Sequence, residues 1–188
     1  MKEQLMYFCD MLCGHFDNSV QLENLKKEHA VPEGFPLAEH VNTICNGNID
    51  HLPHDFDGIF VLEESYYHVD GRVNSMPHLF LFTMEQEDIV LDSYEIPDGY
   101  TKETFCASAL GRLDYNLLSR SGKFTPVHYK KSDNDGSYTC HGKSMFSPVL
   151  CFTLTEKISP EVLSVSEIFE VNGKRTFGYD IPIEYRRI

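Results

Sequence analysis

The chain has no tryptophan, no Cys-x-x-Cys pair and no low-complexity tract. Nowhere does it hold the roughly 18 consecutive apolar residues that a membrane-spanning helix needs, so no membrane partner is expected. It is also poor in positive charge. Its 16 Lys and Arg face 29 Asp and Glu, a formal net charge of −13. A nucleic-acid groove needs a basic stripe, so nucleic acid is excluded as a partner class. The fingerprints of common chemistries, G-x-S-x-G, the P-loop, the dinucleotide loop and H-E-x-x-H, are all missing.

The six cysteines (Cys9, Cys13, Cys45, Cys106, Cys140 and Cys151) sit mostly inside apolar runs. Their spacing builds no disulfide framework and reads as free, buried thiols in a reducing compartment. The first residues, M-K-E-Q-L-M-Y-F-C-D-M-L-C-G, place Glu3 beside Lys2 and Asp10 within the apolar run. A secretory signal would have a basic start and an unbroken apolar middle. The expected location is the cytoplasm or a plastid stroma.

What the chain does have is bulk for a core: 41% hydrophobic residues, 13 Phe and 10 Tyr among 188. That fits one domain over residues 1–188. Leu5, Cys9 and Leu12, with Met6 and Cys13, recur at helical spacing and predict a helix over 2–13, stopped by Gly14. His40 to Cys45 is a short strand, and Asn46 to Gly58 a loop rich in turn signals. Ile59 to Met84 reads as a hairpin of two aromatic arms around a Gly/Asn/Ser/Pro connection. Ile89 to Ile96 follows as a third strand. Lys102 to Ser119 predicts a second, inserted helix through Phe105, Ala109, Leu110, Leu113, Leu117 and Leu118, in spite of Gly111.

Beyond it come strands only. Phe124–Lys130 and Ser137–His141 are joined by S-D-N-D-G. Val149–Lys157 alternates, and Val162–Val171 pairs with Arg175–Tyr185 across the type I′ sequence V-N-G-K. The fold class is therefore mainly β: an antiparallel barrel of about 8–10 strands with an N-terminal and an inserted helix, closed to remove its edges. A barrel of that size can hold one small hydrophobic ligand in its mouth.

Three clusters read as structural. His51, His54, Asp55 and Asp57 form a solvated Pro-containing loop that lacks the helical frame and third ligand of a metal site. Asp133-Asn134-Asp135-Gly136 begins like a calcium loop, but its twelfth position is Ser144, so it reads as a turn. Cys140 and His141 are strand neighbours on opposite faces, badly placed for proton transfer. No metal is expected.

The ligand-binding candidates lie on the hairpin and the strand after it: Glu63, Glu64, Tyr66, Tyr67, His78, Asp92 and Tyr94. Neighbours in a strand face opposite sides. One Glu and one Tyr of the first arm should therefore point inward, where they need a partner or a ligand. Arg72 and Arg112 are the candidate partners. The residues name no catalytic group and no cofactor.

At this point the order of motifs resembles the T-type phycobiliprotein chromophore lyases (the CpcT/CpeT family). Leu12-Cys13-Gly14-His15-Phe16-Asp17-Asn18-Ser19-Val20-Gln21 matches every fixed position of the pattern L-x-G-x-F-x-N-x-x-Q. Glu63-Glu64-Ser65-Tyr66 is similar to a strand reading E-Q-x-Y, Pro77 stands where a Pro opens the next strand, and L-D-S-Y-E-I-P-D is like the acid/tyrosine strand. The likeness covers about 30 residues at motif level. It implies a calycin-like (lipocalin-like) barrel, monomeric or homodimeric. It further implies a linear tetrapyrrole substrate, phycocyanobilin or phycoerythrobilin, and lyase attachment of that bilin to a cysteine of a phycobiliprotein β-subunit. A cavity acid would hold the pyrrole nitrogens and arginines the propionates.

The chain departs from the family where His78-Leu79-Phe80-Leu81 replaces a Tyr-Arg-x-Arg-like stretch. Arg72, Arg112, Arg120 and Lys123 are the candidate substitutes for those arginines. The family's middle Gly-Cys becomes Gly122-Lys123, and its final D-R-G is not recognisable near Lys174-Arg175. The alternative to a lyase is a barrel without catalysis that binds another hydrophobic ligand or a protein partner, its interior then filled by Phe and Tyr.

Overall fold

A computed structural model describes residues 2–69 and 71–188. Among them are two α-helices, α1 (Lys2–Leu12) and α2 (Ser19–Lys27), and thirteen strands. The first six strands are β1 (Gly14–Asp17), β2 (Leu37–Ile44), β3 (Ile49–Asp50), β4 (Ile59–Val69), β5 (Arg72–Glu85) and β6 (Asp88–Tyr94). After them come β7 (Leu113–Asp114), β8 (Val127–Lys131), β9 (Tyr138–Met145), β10 (Leu150–Ile158), β11 (Leu163–Val171), β12 (Lys174–Phe177) and β13 (Ile183–Arg187).

Ten strands close into an antiparallel barrel in the order β10-β9-β8-β6-β5-β4-β2-β1-β13-β11, with β11 returning to β10. Consecutive hairpins build most of the wall, as alternating strands joined by tight turns must. Asn172 and Gly173 both take positive φ, 51° and 75°, as the V-N-G-K turn requires. β11 changes partner along its length. Its first residues pair with β13 and its last with β12, which extends the wall as a flap.

The closing seam is made by the first and last strands. Phe16 of β1 pairs with Arg187 of β13 on one side and with His40 of β2 on the other. Gly14 there has φ 141°, and a Cβ on it would run into the Arg187 guanidinium. Asn18 is fully buried; its amide donates to Pro36 O (3.0 Å) and its oxygen accepts from Ala38 N (2.8 Å). Gln21 does the same to β13, donating to Pro182 O and accepting from Glu184 N, both at 2.9 Å. Arg187 donates to Cys13 O (2.7 Å), Asp10 O and Met11 O, satisfying carbonyls that the end of α1 leaves free. The L-x-G-x-F-x-N-x-x-Q pattern is thus the barrel's fastening.

Helix α1 plugs one end. Leu5, Phe8, Cys9 and Leu12 are buried, and the Phe8 ring packs on Phe82, Tyr129 and Tyr138 at 5.1–5.2 Å. Each such side chain stabilises by about 1.5–3 kcal/mol on full burial. A second core lies outside the wall, where Phe60, Leu62, Leu79 and Leu81 meet Cys45, Ile49, Phe105 and Leu113.

Some expectations need correcting. Lys102–Ser119 is no α-helix. It forms turns, two single 3-10 turns at Ala107–Ala109 and Tyr115–Leu117, and β7, which runs parallel to β3. Gly111 and the turn-forming side chains of Thr101, Thr104 and Asp114 draw the backbone into local hydrogen bonds. The segment's apolar residues cover the outer core instead of forming a stripe. The second helix is α2, set off by Asp17, whose carboxylate accepts from the Ser19 N–H and hydroxyl.

The β4–β5 connection spans only the two residues between Val69 and Arg72, which pair with each other. Asn74, Ser75 and Pro77 lie within β5, so Pro77 does not open that strand. The expected strand Arg175–Tyr185 is two strands, parted by Gly178 at φ 107° and by Pro182.

Candidate functional site

The plugged barrel is not filled. A cavity of about 640 Å³ occupies its interior and opens at the end opposite α1. β5, β6 and β8 contribute Phe80, Phe82, Leu91 and Val127 to its wall. Around the mouth Phe124, Phe146, Phe152 and Phe169 pack as edges and tilted faces at 4.8–5.8 Å. Lys102 and Lys123 also border it. Alternation in the strands explains the lining, since every second residue of an antiparallel barrel points in.

Within this apolar shell is a polar cluster: His40 from β2, Glu63 and Tyr67 from β4, Glu156 from β10, Glu167 from β11, with Tyr129 and Tyr185 beside them. His40 is 3% exposed, and its Nδ1 stands 3.6 Å from Glu63 Oε2, beyond hydrogen-bond reach and without a partner. Its Nε2 lies 3.4 Å from the Ser65 hydroxyl, which also donates to Glu63 Oε1 at 3.1 Å. Tyr67 donates to Glu167 at 3.2 Å, and Tyr129 makes a short hydrogen bond to Glu156. The Tyr185 ring leans on His40 at 4.3 Å.

These groups set each other's protonation. Burial pushes the His40 imidazole down, but the Glu63 carboxylate overcomes this, and His40 ends above its ordinary value. Burial pushes Glu63 up, and His40 reverses that, so Glu63 ends low. Burial raises Glu156 to about 7 against the pull of the Tyr129 hydroxyl and of His40. Glu167 is raised by burial and by Glu63. The pair His40–Glu63 is therefore shifted toward its charged form, while Glu156 and Glu167 are shifted toward the protonated form.

Of the residues expected to bind ligand, Glu63 and Tyr67 do point inward, and His78 borders the cavity with its ring stacked on Phe80 at 5.4 Å. Glu64 and Tyr66 point outward. Tyr66 donates to Glu64 (2.6 Å), and Glu64 also accepts from the Ala107 N–H (3.0 Å), so the pair ties the outer segment to the wall. Asp92 faces outward too, 3.4 Å from Arg120. Tyr94 borders the cavity rim, but its ring packs on Phe60 in the outer core.

Among the proposed basic substitutes, Lys123 reaches the cavity. Arg112 pairs with Asp50, Arg120 with Asp92 and Tyr94, and exposed Arg72 is not among the lining residues. His51 pairs on the surface with Asp114 at 3.0 Å.

Sequence reasoning missed His40, Glu156, Glu167 and Lys102. Two of these had a readable signal. The inward positions of β10 run Phe152, Leu154, Glu156, Ile158, and those of β11 run Leu163, Val165, Glu167, Phe169. A lone acid in each apolar alternation marks a polar spot inside.

Comparison with protein-family models, with curated proteins and with solved structures finds no match for this chain.

Proposed function

We propose that this barrel binds an extended, conjugated apolar ligand that carries N–H donors, an open-chain tetrapyrrole being the member of that class that the sequence resemblance implies. One observation carries the reading: a cavity of about 640 Å³ with an aromatic shell and a buried cluster of acceptors. Ligand pockets of this kind run from about 300 to 1,000 Å³. The aromatic rings would stack on the conjugated body. Glu63, Glu156 and Glu167 would accept from ring N–H groups that an apolar pocket could not satisfy. Lys102 and Lys123 at the mouth would meet carboxylates at the ligand's outer end, as unidirectional point charges rather than bidentate arginine forks.

A lyase role adds one step. The thiol of an acceptor cysteine, on a phycobiliprotein β-subunit in this reading, would add across the bilin's ethylidene double bond. The S–C bond forms on one carbon, the thiol proton passes to the other, and nothing else is consumed. The chain would contribute position and water exclusion. Its own interior thiol, Cys140, is raised by burial and unsuited to attack. Six free cysteines fit a cytoplasmic or stromal setting.

A second reading, a carrier without attachment chemistry, is favoured by His78-Leu79-Phe80-Leu81, which holds neither arginine of the family's stretch. Both readings are tested by mixing purified protein with phycocyanobilin and recording spectra. A red-shifted, more fluorescent bilin at micromolar protein is expected, and an unchanged spectrum would overturn binding. Adding the apo-β-subunit then separates the two: a covalent, denaturation-resistant adduct identifies the lyase, and its absence the carrier.

A further inference from the structure

His40 leaves one bond unmade on the cavity wall. The residue is 3% exposed, and its Nδ1 has no hydrogen-bond partner. Its other nitrogen, Nε2, faces the Ser65 hydroxyl at 3.4 Å, and that hydroxyl gives its proton to Glu63 Oε1. Both nitrogens thus look onto oxygens, Ser65 Oγ on one side and Glu63 Oε2, 3.6 Å away, on the other. An imidazolium, with a hydrogen on each nitrogen, suits both neighbours. Against burial, the Glu63 carboxylate does hold His40 above its ordinary value. Nδ1–H is therefore a donor that lacks an acceptor at bonding distance.

An acceptor without a donor stands beside it. Ser65 occupies Glu63 Oε1, and among the described residues no donor comes within hydrogen-bond reach of Oε2. The other carboxylates of the cavity each hold a hydroxyl: Glu156 that of Tyr129, Glu167 that of Tyr67, and Glu95, at the rim, that of Ser121. The wall therefore offers one free donor and one free acceptor side by side, on two residues that both line the cavity. The two side chains, one cation and one anion, carry no net charge together. A carboxylate on the ligand would be repelled by Glu63, and an ammonium by His40. What complements both is a neutral group that accepts and donates along one edge.

We propose that His40 and Glu63 dock a neutral cis-amide edge of the ligand, a lactam or imide, whose C=O accepts from His40 Nδ1–H and whose N–H donates to Glu63 Oε2. This rests on the cavity being a binding site and names the polar group that it selects. A cis-amide sets its oxygen and its N–H next to each other, as the two wall atoms are set. The aromatic shell covers the conjugated body that carries the amide. Docking satisfies both wall atoms, moves no proton and brings no charge into the barrel.

Two flat, fluorescent tricyclic probes of one shape test this. Phenanthridinone is a lactam, and the matching benzochromenone is the lactone in which a ring oxygen replaces the N–H. In fluorescence titrations the lactam should bind about tenfold more tightly, because the lactone leaves Glu63 Oε2 without its donor. The infrared stretch of the lactone carbonyl lies clear of the protein's amide bands. In the complex it should fall below its position in hexane, through the hydrogen bond from His40. His40→Phe, which keeps a ring against Tyr185 but has no nitrogen, should return the band to the hexane position. His128→Phe, beside Asp88 on the outer face, should leave band and tenfold ratio as in the wild type. Should His40→Phe misfold, the wild-type ratio and band decide. Equal affinity for the two probes, an unshifted wild-type band, or a shift that persists in folded His40→Phe overturns the amide assignment and leaves the cavity reading standing. Binding of neither probe overturns both.

Discussion

Glu63 and Glu64 stand side by side in the sequence and end on opposite faces of one strand, one beside His40 in the cavity, the other holding an outer turn. Alternation alone announces that split. It does not announce the partners: His40 arrives through the pairing of β2 with β4, while Glu156 and Glu167 come from strands far away in the chain and meet Glu63 only when the barrel closes. At this scale one contribution to the protein's pH response comes from Glu156. Its folded pKa lies near 7, above an ordinary 4.5, so the folded state holds a proton that the unfolded chain gives up sooner. The sign follows: this contribution is fully present below about pH 4.5 and is lost as pH rises through about 7. Denaturant titrations at pH 5 and pH 8 should show the wild type losing about 2.5 kcal/mol more than Glu156→Gln over that interval, at about 1.4 kcal/mol per unit. Equal losses in the two proteins would refute the assignment.

At the scale of elements, the strands were legible and the segment Lys102–Ser119 was not. Strands alternate with a period that survives single exceptions, and the V-N-G-K turn needs positive φ at two residues that tolerate it. The segment after β6 has helical spacing on paper. Its apolar residues are spent on the outer face of β4 and β5, where Phe105 and Leu113 fill the second core. Local hydrogen bonds from Thr101, Thr104 and Asp114 then compete with helix nucleation, which is unfavourable to begin with. What anchors the segment is the carboxylate of Glu64 on the Ala107 N–H. Glu64→Ala should therefore speed hydrogen exchange across residues 100–118 by about tenfold or more, for a lost charge-assisted bond of roughly 1.5–3 kcal/mol, and leave α1 unchanged. Unaltered exchange there would show that the apolar contacts suffice.

For the molecule as a whole, the decisive contacts join its two ends. The L-x-G-x-F-x-N-x-x-Q pattern acts here. Gly14 makes room for Arg187, Asn18 grips the start of β2, and Gln21 grips β13. A pattern that specific can be read as a fastening without naming a ligand, which is why the sequence spoke clearly of a barrel and faintly of its contents. Removing β13 takes away the Arg187 contacts to α1, the Gln21 clamp and the Tyr185 ring that leans on His40 together. A chain ending before Ile183 should lose cooperative thermal unfolding and bind an apolar dye such as dansylamide loosely or not at all. A sharp transition with a cavity intact would assign closure to β11 and β12 instead.

The same seam imposes an order in time. β1 leaves the ribosome well before β13, so until β13 emerges the barrel is an incomplete curl with two unpaired edges and its phenylalanines on view. The long separation of the partners makes the joining step slow for a chain of this size. The acidic surface keeps waiting chains apart during that interval. Before the final strand arrives there is no enclosed interior, so the nascent chain has nothing to hold a ligand with. The cavity exists only once the seam has closed.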